Sequence, residues 1–199
     1  MSADNTNNNN NNSPVILIFG YGSILWKQEF AYTNSYPCFI TGYRRVFYQG
    51  SSDHRGVPGR PGRVVTLLPS DDPQATVAGV AYELPDDPAE RDKILAKLDY
   101  RERGGYSRVE VIPYNLYSRE PLKIAAQAVC LCYMATEDNS EYLGPDTEEN
   151  IAAQILECAG ASGPNSEYLF KLAQALRDLD ETDPHVFAIE EAARKLKGD

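Results

Sequence analysis

Five consecutive apolar residues, Val15 to Phe19, run straight into Gly20-Tyr21-Gly22-Ser23. A strand with one wet face alternates apolar and polar side chains, so an unbroken run of this kind predicts a strand covered on both faces. Further strands are predicted at Arg44 to Tyr48, Arg63 to Leu68, Thr76 to Leu84, Tyr106 to Tyr114 and Gln127 to Tyr133, each rich in Val, Ile, Leu or Tyr and bounded by turn residues. Helices crowd the last third. Asp87-Pro88-Ala89-Glu90 carries an N-cap, a proline at the first helical position and an acid at the third, opening a helix expected to end near Gly104-Gly105. Apolar spacing predicts three more, over Asp146 to Ala159, Asn165 to Leu179 and His185 to Lys197. Strands come first and helices last, without the alternation of a doubly wound sheet. The expected class is therefore α+β, a single domain with a small mixed, barrel-like sheet and packed helices.

At 199 residues the chain has enough length for one good core. Met1 to Asn12 is an Asn-rich tract without the apolar surface to offset ordering entropy. The expected organisation is a disordered tail over 1–13 and one domain over 14–199.

Charge and cysteine usage remove several function classes. The formal net charge is -10, which repels phosphate backbones and anionic lipid, so neither a nucleic-acid nor a membrane role is expected. No apolar run approaches the roughly 20 residues a bilayer needs. Cys38, Cys130, Cys132 and Cys158 are too sparse for a disulfide scaffold and read as reduced core thiols. Cys130 and Cys132 have the wrong spacing for a zinc knuckle, and His54 and His185 lie far apart, so no metal site is expected. The expectation is a soluble cytoplasmic protein.

Four segments can carry chemistry. The glycine-flanked turn Gly20-Tyr21-Gly22-Ser23 follows a buried strand, where backbone N–H groups can hold a carboxylate or oxyanion. A plain tight turn accounts for it equally, and it matches neither a dinucleotide fingerprint nor a nucleophile elbow. The loop Ser51 to Arg63 holds three arginines, whose forks suit carboxylates. A Ser23, His54 and Asp53 triad is disfavoured, because adjacent Asp and His side chains usually point apart. Glu102 sits where a helix should end and the macrodipole disfavours an anion, although a solvated surface carboxylate is the plainer reading. Gly160 to Leu169 reads as a turn and a capped helix start with Tyr168 in its first turn.

Together and in this order these segments resemble the ChaC-type, glutathione-specific γ-glutamylcyclotransferases. The resemblance rests on Phe19-Gly20-Tyr21-Gly22-Ser23-Ile24, Gly42-Tyr43-Arg44-Arg45, Gln49 to Gly56, Pro61 to Leu67, Gly79 to Tyr82, Arg101 to Tyr106, Tyr142 to Pro145 and Glu167-Tyr168-Leu169. Ile24 and Ser52 replace the family's usual Leu and Thr. The resemblance implies a small mixed barrel and cleavage of glutathione to 5-oxoproline and Cys-Gly without a cofactor or metal. By the same analogy Glu102 is the acid/base residue. The stretch Ile18, Phe19, Gly20, Tyr21, Gly22 and Ser23 holds the γ-glutamyl moiety through its backbone. Tyr168 orients the substrate, and loop arginines, Arg55 foremost, reach the glycyl carboxylate. Other γ-glutamyl amino acids or amines, or a catalytically inactive γ-glutamyl-binding protein, are the alternatives; the resemblance names no protein partner.

The local charge agrees with an anionic tripeptide. From Met1 to Pro69 six basic residues stand against three acidic, and the remainder carries 13 against 26.

Overall fold

β1 (Ile16–Gly20) lies inside a six-stranded mixed sheet, antiparallel to β5 (Thr76–Glu83) and parallel to β8 (Val129–Ala135). The computed structural model describes residues 14–101, 106–125 and 127–198. β1 is apolar throughout because both its faces are covered, as the sequence predicts. Leu17 and Phe19 join the main core with helices α2 (Glu148–Glu157), α3 (Asn165–Asp178) and α4 (Pro184–Lys197). Ile18, pointing the other way, packs with Ile94 and Leu98 of α1 (Pro88–Arg101).

The sheet runs β6-β8-β1-β5-β2-β7, with β2 at Asn34–Thr41, β6 at Tyr106–Val111 and β7 at Tyr114–Asn115. A separate ribbon, β3 (Tyr43–Ser51) and β4 (Gly62–Pro69), crosses the Leu17 face. Thr66 of β4 donates to the Ala135 carbonyl at 2.7 Å and accepts from its N–H at 3.0 Å. Arg45 of β3 bonds the Ala78 carbonyl. The ribbon is thus stitched to β8 and β5, the two strands flanking β1, which gives the α+β fold its barrel-like curvature.

Three expectations need correction. β2 escapes the sequence reading because Pro37 and the polar Asn34-Ser35 demote it, yet it pairs with β5 over its whole length. The strand predicted from Tyr106 to Tyr114 is broken at Ile112-Pro113, where proline has no N–H to give a ladder. α2 stops short of Gly160: Cys158 is already extended, and the chain enters a two-residue ribbon, β9 (Ala159–Gly160) with β10 (Gly163–Pro164).

β3 carries one irregularity that matters below. Val46 faces Thr66 and Gln49 faces Val64, so Phe47 and Tyr48 bulge out of register.

Candidate active site

The chain leaves β1 at Gly20, turns through Tyr21 and Gly22 and winds into a 3-10 turn, Ser23–Leu25, closed by Leu25 N–H to Gly22 O at 3.0 Å. The side chains of Ile18, Phe19 and Tyr21 are buried, and the Tyr21 phenol donates to the Tyr133 carbonyl at 2.8 Å. A ligand can meet these three residues through backbone alone. Gly20 and Gly22 are small because neighbours stand close. A β-carbon on Gly20 would lie 2.8 Å from Ile24 Cγ2, and one on Gly22 would lie 2.9 Å from the Tyr168 hydroxyl.

Tyr168 faces this turn from the first helical turn of α3. Its ring is buried between Trp26, edge-on at 5.3 Å, Phe47 at 6.0 Å and the Arg55 guanidinium at 5.8 Å. Val65 N–H points to its hydroxyl at 3.4 Å. The helix start is fixed by Asn165, which is fully buried. Its Oδ1 accepts from Arg63 N–H at 2.7 Å and its Nδ2 donates to Arg63 O at 2.8 Å. Sequence reading takes Asn165 only as the first residue of a helix. In the structure it imitates a strand neighbour for β4 instead, and Pro164 occupies the cap position without a side-chain bond.

The three loop arginines part company. Arg55 is the one beside Tyr168; it is buried, and its Nη1 donates to Pro164 O at 2.9 Å and reaches Glu167 at 3.5 Å. Arg63 is also buried, bonding Phe47 O and Gly144 O at 3.0 Å each and Gln154 Oε1 at 2.6 Å. Arg60 is exposed and pairs with Glu157 at 3.2 Å, beside an open surface groove that includes neither Gly22 nor Tyr168. His54, likewise exposed, has Ser162 at 3.2 Å from Nδ1 and Asp53 at 3.5 Å from Nε2. The structure therefore gives the Asp53–His54 pair Ser162 as hydroxyl neighbour, in place of the triad with Ser23.

Glu102 lies outside the described residues. On the near side of it, Asp99 accepts the Tyr133 hydroxyl at 2.7 Å. Burial first, and then Asp99, push that phenol up, so it remains a donor. The Tyr133 carbonyl in turn holds the Tyr21 hydroxyl. On the far side, Tyr106 opens β6 opposite Ala135. The end of α1 is thus tied through Tyr133 to the glycine turn. Trp26 and Asn165 are the residues of this region to which sequence reading gives no part in the site; the signal for Trp26 is its place three residues after Ser23, at the end of the 3-10 turn.

The chain matches the family model of the ChaC-like protein over residues 16–196. It is 45% identical over 181 residues to glutathione-specific gamma-glutamylcyclotransferase 1 of Danio rerio, covering 88% of this chain and 87% of that one. It is 42% identical over 184 residues to gamma-glutamylcyclotransferase 2-3 of Arabidopsis thaliana, covering 90% and 88%. A crystal structure of a gamma-glutamyl cyclotransferase specific to glutathione from yeast superposes with a TM-score of 0.81 at 30% identity, covering 92% of this chain and 97% of that one.

Proposed function

The chain belongs to the ChaC-like family, and from that membership and the Gly22–Tyr168 wall we propose that it cleaves glutathione to 5-oxoproline and Cys-Gly. The observation that carries the reading is the 45% identity to a relative named for this activity, over nearly the whole chain. The glutamyl α-amine attacks the γ-carbonyl of its own side chain, forming the C–N bond of a five-membered lactam. The tetrahedral oxyanion then collapses, the amide bond to cysteine breaks, and the cysteinyl nitrogen leaves with a proton. No water is consumed and no electrons change hands. Ring closure has a high effective molarity, so the protein has three tasks: folding the glutamyl chain back, moving one proton and holding the oxyanion.

Glu102 is the residue proposed for the proton, taking it from the α-nitrogen and returning it to the leaving amine. In support, Asp99, three residues earlier, is anchored to Tyr133 and through it to the turn. Backbone groups of Ile18 to Ser23 are proposed to hold the γ-glutamyl part, since the side chains of Ile18, Phe19 and Tyr21 are buried in the protein's own packing. The Tyr168 hydroxyl, beside Gly22, orients it. Arg55 spends Nη1 on Pro164 and Glu167, and its other guanidinium nitrogens are assigned to the glycyl carboxylate. The bond changes require no cofactor. Among the described residues no helix is long and apolar enough to cross a membrane. Four buried free thiols fit a reducing compartment, and the cytoplasm is the proposed location.

Incubation with reduced glutathione, followed by mass spectrometry, should yield 5-oxoproline and Cys-Gly in equal amounts. Glu102→Gln should keep the fold and abolish both. Turnover of γ-glutamylalanine but not glutathione would move the substrate assignment, and near-normal turnover in a folded Gln variant would remove Glu102 from its role.

A further inference from the structure

The bulge in β3 leaves the Phe47 peptide without a ladder partner on β4, and two side chains from elsewhere take it over. Arg63 Nη1 donates to its carbonyl at 3.0 Å, and its N–H donates to Nε2 of His185, at 3.0 Å, from the first turn of α4. That bond fixes the state of the imidazole. Nε2 must be bare, so the ring is neutral with its proton on Nδ1. The bulged peptide is what seats the Phe47 ring, wholly buried, against Tyr168. His185 also packs on that ring at 6.3 Å and meets Tyr48 edge-on at 5.5 Å.

We propose that His185 is a positioning residue for the cyclotransferase site, holding the Phe47 bulge that backs Tyr168 only while its imidazole is neutral. The inference rests on the glutathione reading for its kinetic part alone. Protonation puts a second N–H where the Phe47 N–H already points. Two donors then face each other in a half-buried space, and the bulge loses its anchor. The charges around the ring come from every element packed on it. Asp183 at the start of α4 is paired with Arg45 of β3 at 2.8 Å; Glu148 lies at the start of α2; Arg44 belongs to β3 and Arg63 to β4. Asp183 and Glu148 favour the imidazolium, yet burial first, with Arg44 and Arg63 assisting, holds His185 below the usual 6.5. The neutral, working form is thus the form present at neutral pH, and the transition lies on the acid side.

Two isosteres separate this role from mere packing. The Gln amide oxygen can stand where Nε2 stands, accept from Phe47 and never titrate, whereas the shorter Asn reaches only the Nδ1 position. His185→Gln should keep most of the kcat at neutral pH, and His185→Asn should lose about tenfold or more in kcat with a smaller change in KM. A readout without substrate comes from Trp26, the sole tryptophan, edge-on to Tyr168. Its emission in the wild type should shift on acidification from about pH 8 to 5, and in His185→Gln it should not. Should the Asn variant fail to fold, the emission comparison still decides, and it decides equally if glutathione proves not to be the substrate. Superimposable emission titrations in wild type and His185→Gln, or equal kcat in the Gln and Asn variants, would overturn the proposal.

Discussion

The hydroxyl of Tyr168 lies 2.9 Å from the point at which a β-carbon on Gly22 would stand. The tyrosine cannot swing aside cheaply, because Trp26, Phe47 and the Arg55 guanidinium pack around its ring. One methyl group at Gly22 therefore moves either the turn or the hydroxyl, the two parts assigned to the γ-glutamyl group. Gly22→Ala should fold normally by circular dichroism while kcat/KM for glutathione falls about tenfold to a hundredfold. Wild-type kinetics in that variant would show that the close approach is not used.

Tyr168→Phe tests the hydroxyl without disturbing the packing. Val65 N–H approaches that oxygen at 3.4 Å, a long contact for an N–H donor. Stability should change by about 0.5–1.5 kcal/mol, the size of one hydrogen-bonding hydroxyl. The loss in kcat/KM should be about tenfold, roughly 1.4 kcal/mol in the transition state. A large drop in the denaturation midpoint with unchanged kinetics would assign Tyr168 to the core alone.

What the sequence discloses and what it hides divide along physical lines. β1 is legible because covering both faces of a strand demands an unbroken apolar run, and Leu17, Ile18 and Phe19 supply it. α1 is legible because its cap is local: Asp87 accepts from Glu90 N–H, as the capping pattern requires. β2 is not, since Pro37 argues against a strand and only pairing with β5 overrides it. The site follows the same division. The turn and Tyr168 lie within recognisable strings, but composition and spacing do not rank the three loop arginines, and contact with the Tyr168 ring is what separates Arg55 from the equally buried Arg63. Asn165 reaches a peptide 102 residues away in the chain, and no local pattern encodes that bond.

Asn165→Ala should be among the more damaging single truncations outside the hydrocarbon core. It strips both partners from the Arg63 peptide in a fully buried place, leaving an N–H and a carbonyl unpaired. The expected loss is about 2–4 kcal/mol, measured as a fall in the urea midpoint. Asn165→Asp should not rescue it. The carboxylate can accept from Arg63 N–H, but its second oxygen then faces the Arg63 carbonyl. An aspartate variant as stable as wild type would contradict this pairing.

Glu190 supplies a pH dependence of the opposite chemical kind to His185. The carboxylate on α4 is almost fully buried between Arg177 of α3, in contact with it, and Arg194 at 2.9 Å. Burial alone would push it up; the two guanidiniums outweigh that, and the group is held below 4.5. A depressed acid contributes stability that is complete above about 4.5 and fades as pH falls through the lower native value. The melting temperature should therefore decline in that acid range, and Glu190→Gln should flatten the decline while starting from a lower plateau. An unchanged slope in the Gln variant would place the acid lability elsewhere.

All four cysteines are free and buried, and their burial sets their reactivity. Loss of hydration pushes the Cys38 thiol up to about 12 and raises Cys130 further. Cys158 is raised by the same cause, and its Sγ donates to Pro61 O at 3.4 Å. Thiolate, the species that attacks disulfides and alkylating agents, is thus scarce at neutral pH. The reaction proposed for this chain uses none of these thiols, although its substrate carries one. In the folded protein an aromatic disulfide reagent should titrate the four sulfurs only as fast as local opening exposes them, Cys158 first, and in urea all four at once. Iodoacetamide should leave 5-oxoproline release intact over the same interval. One cysteine that reacts in the native state as quickly as free glutathione, with activity falling in step, would refute this account and put a thiol into the mechanism.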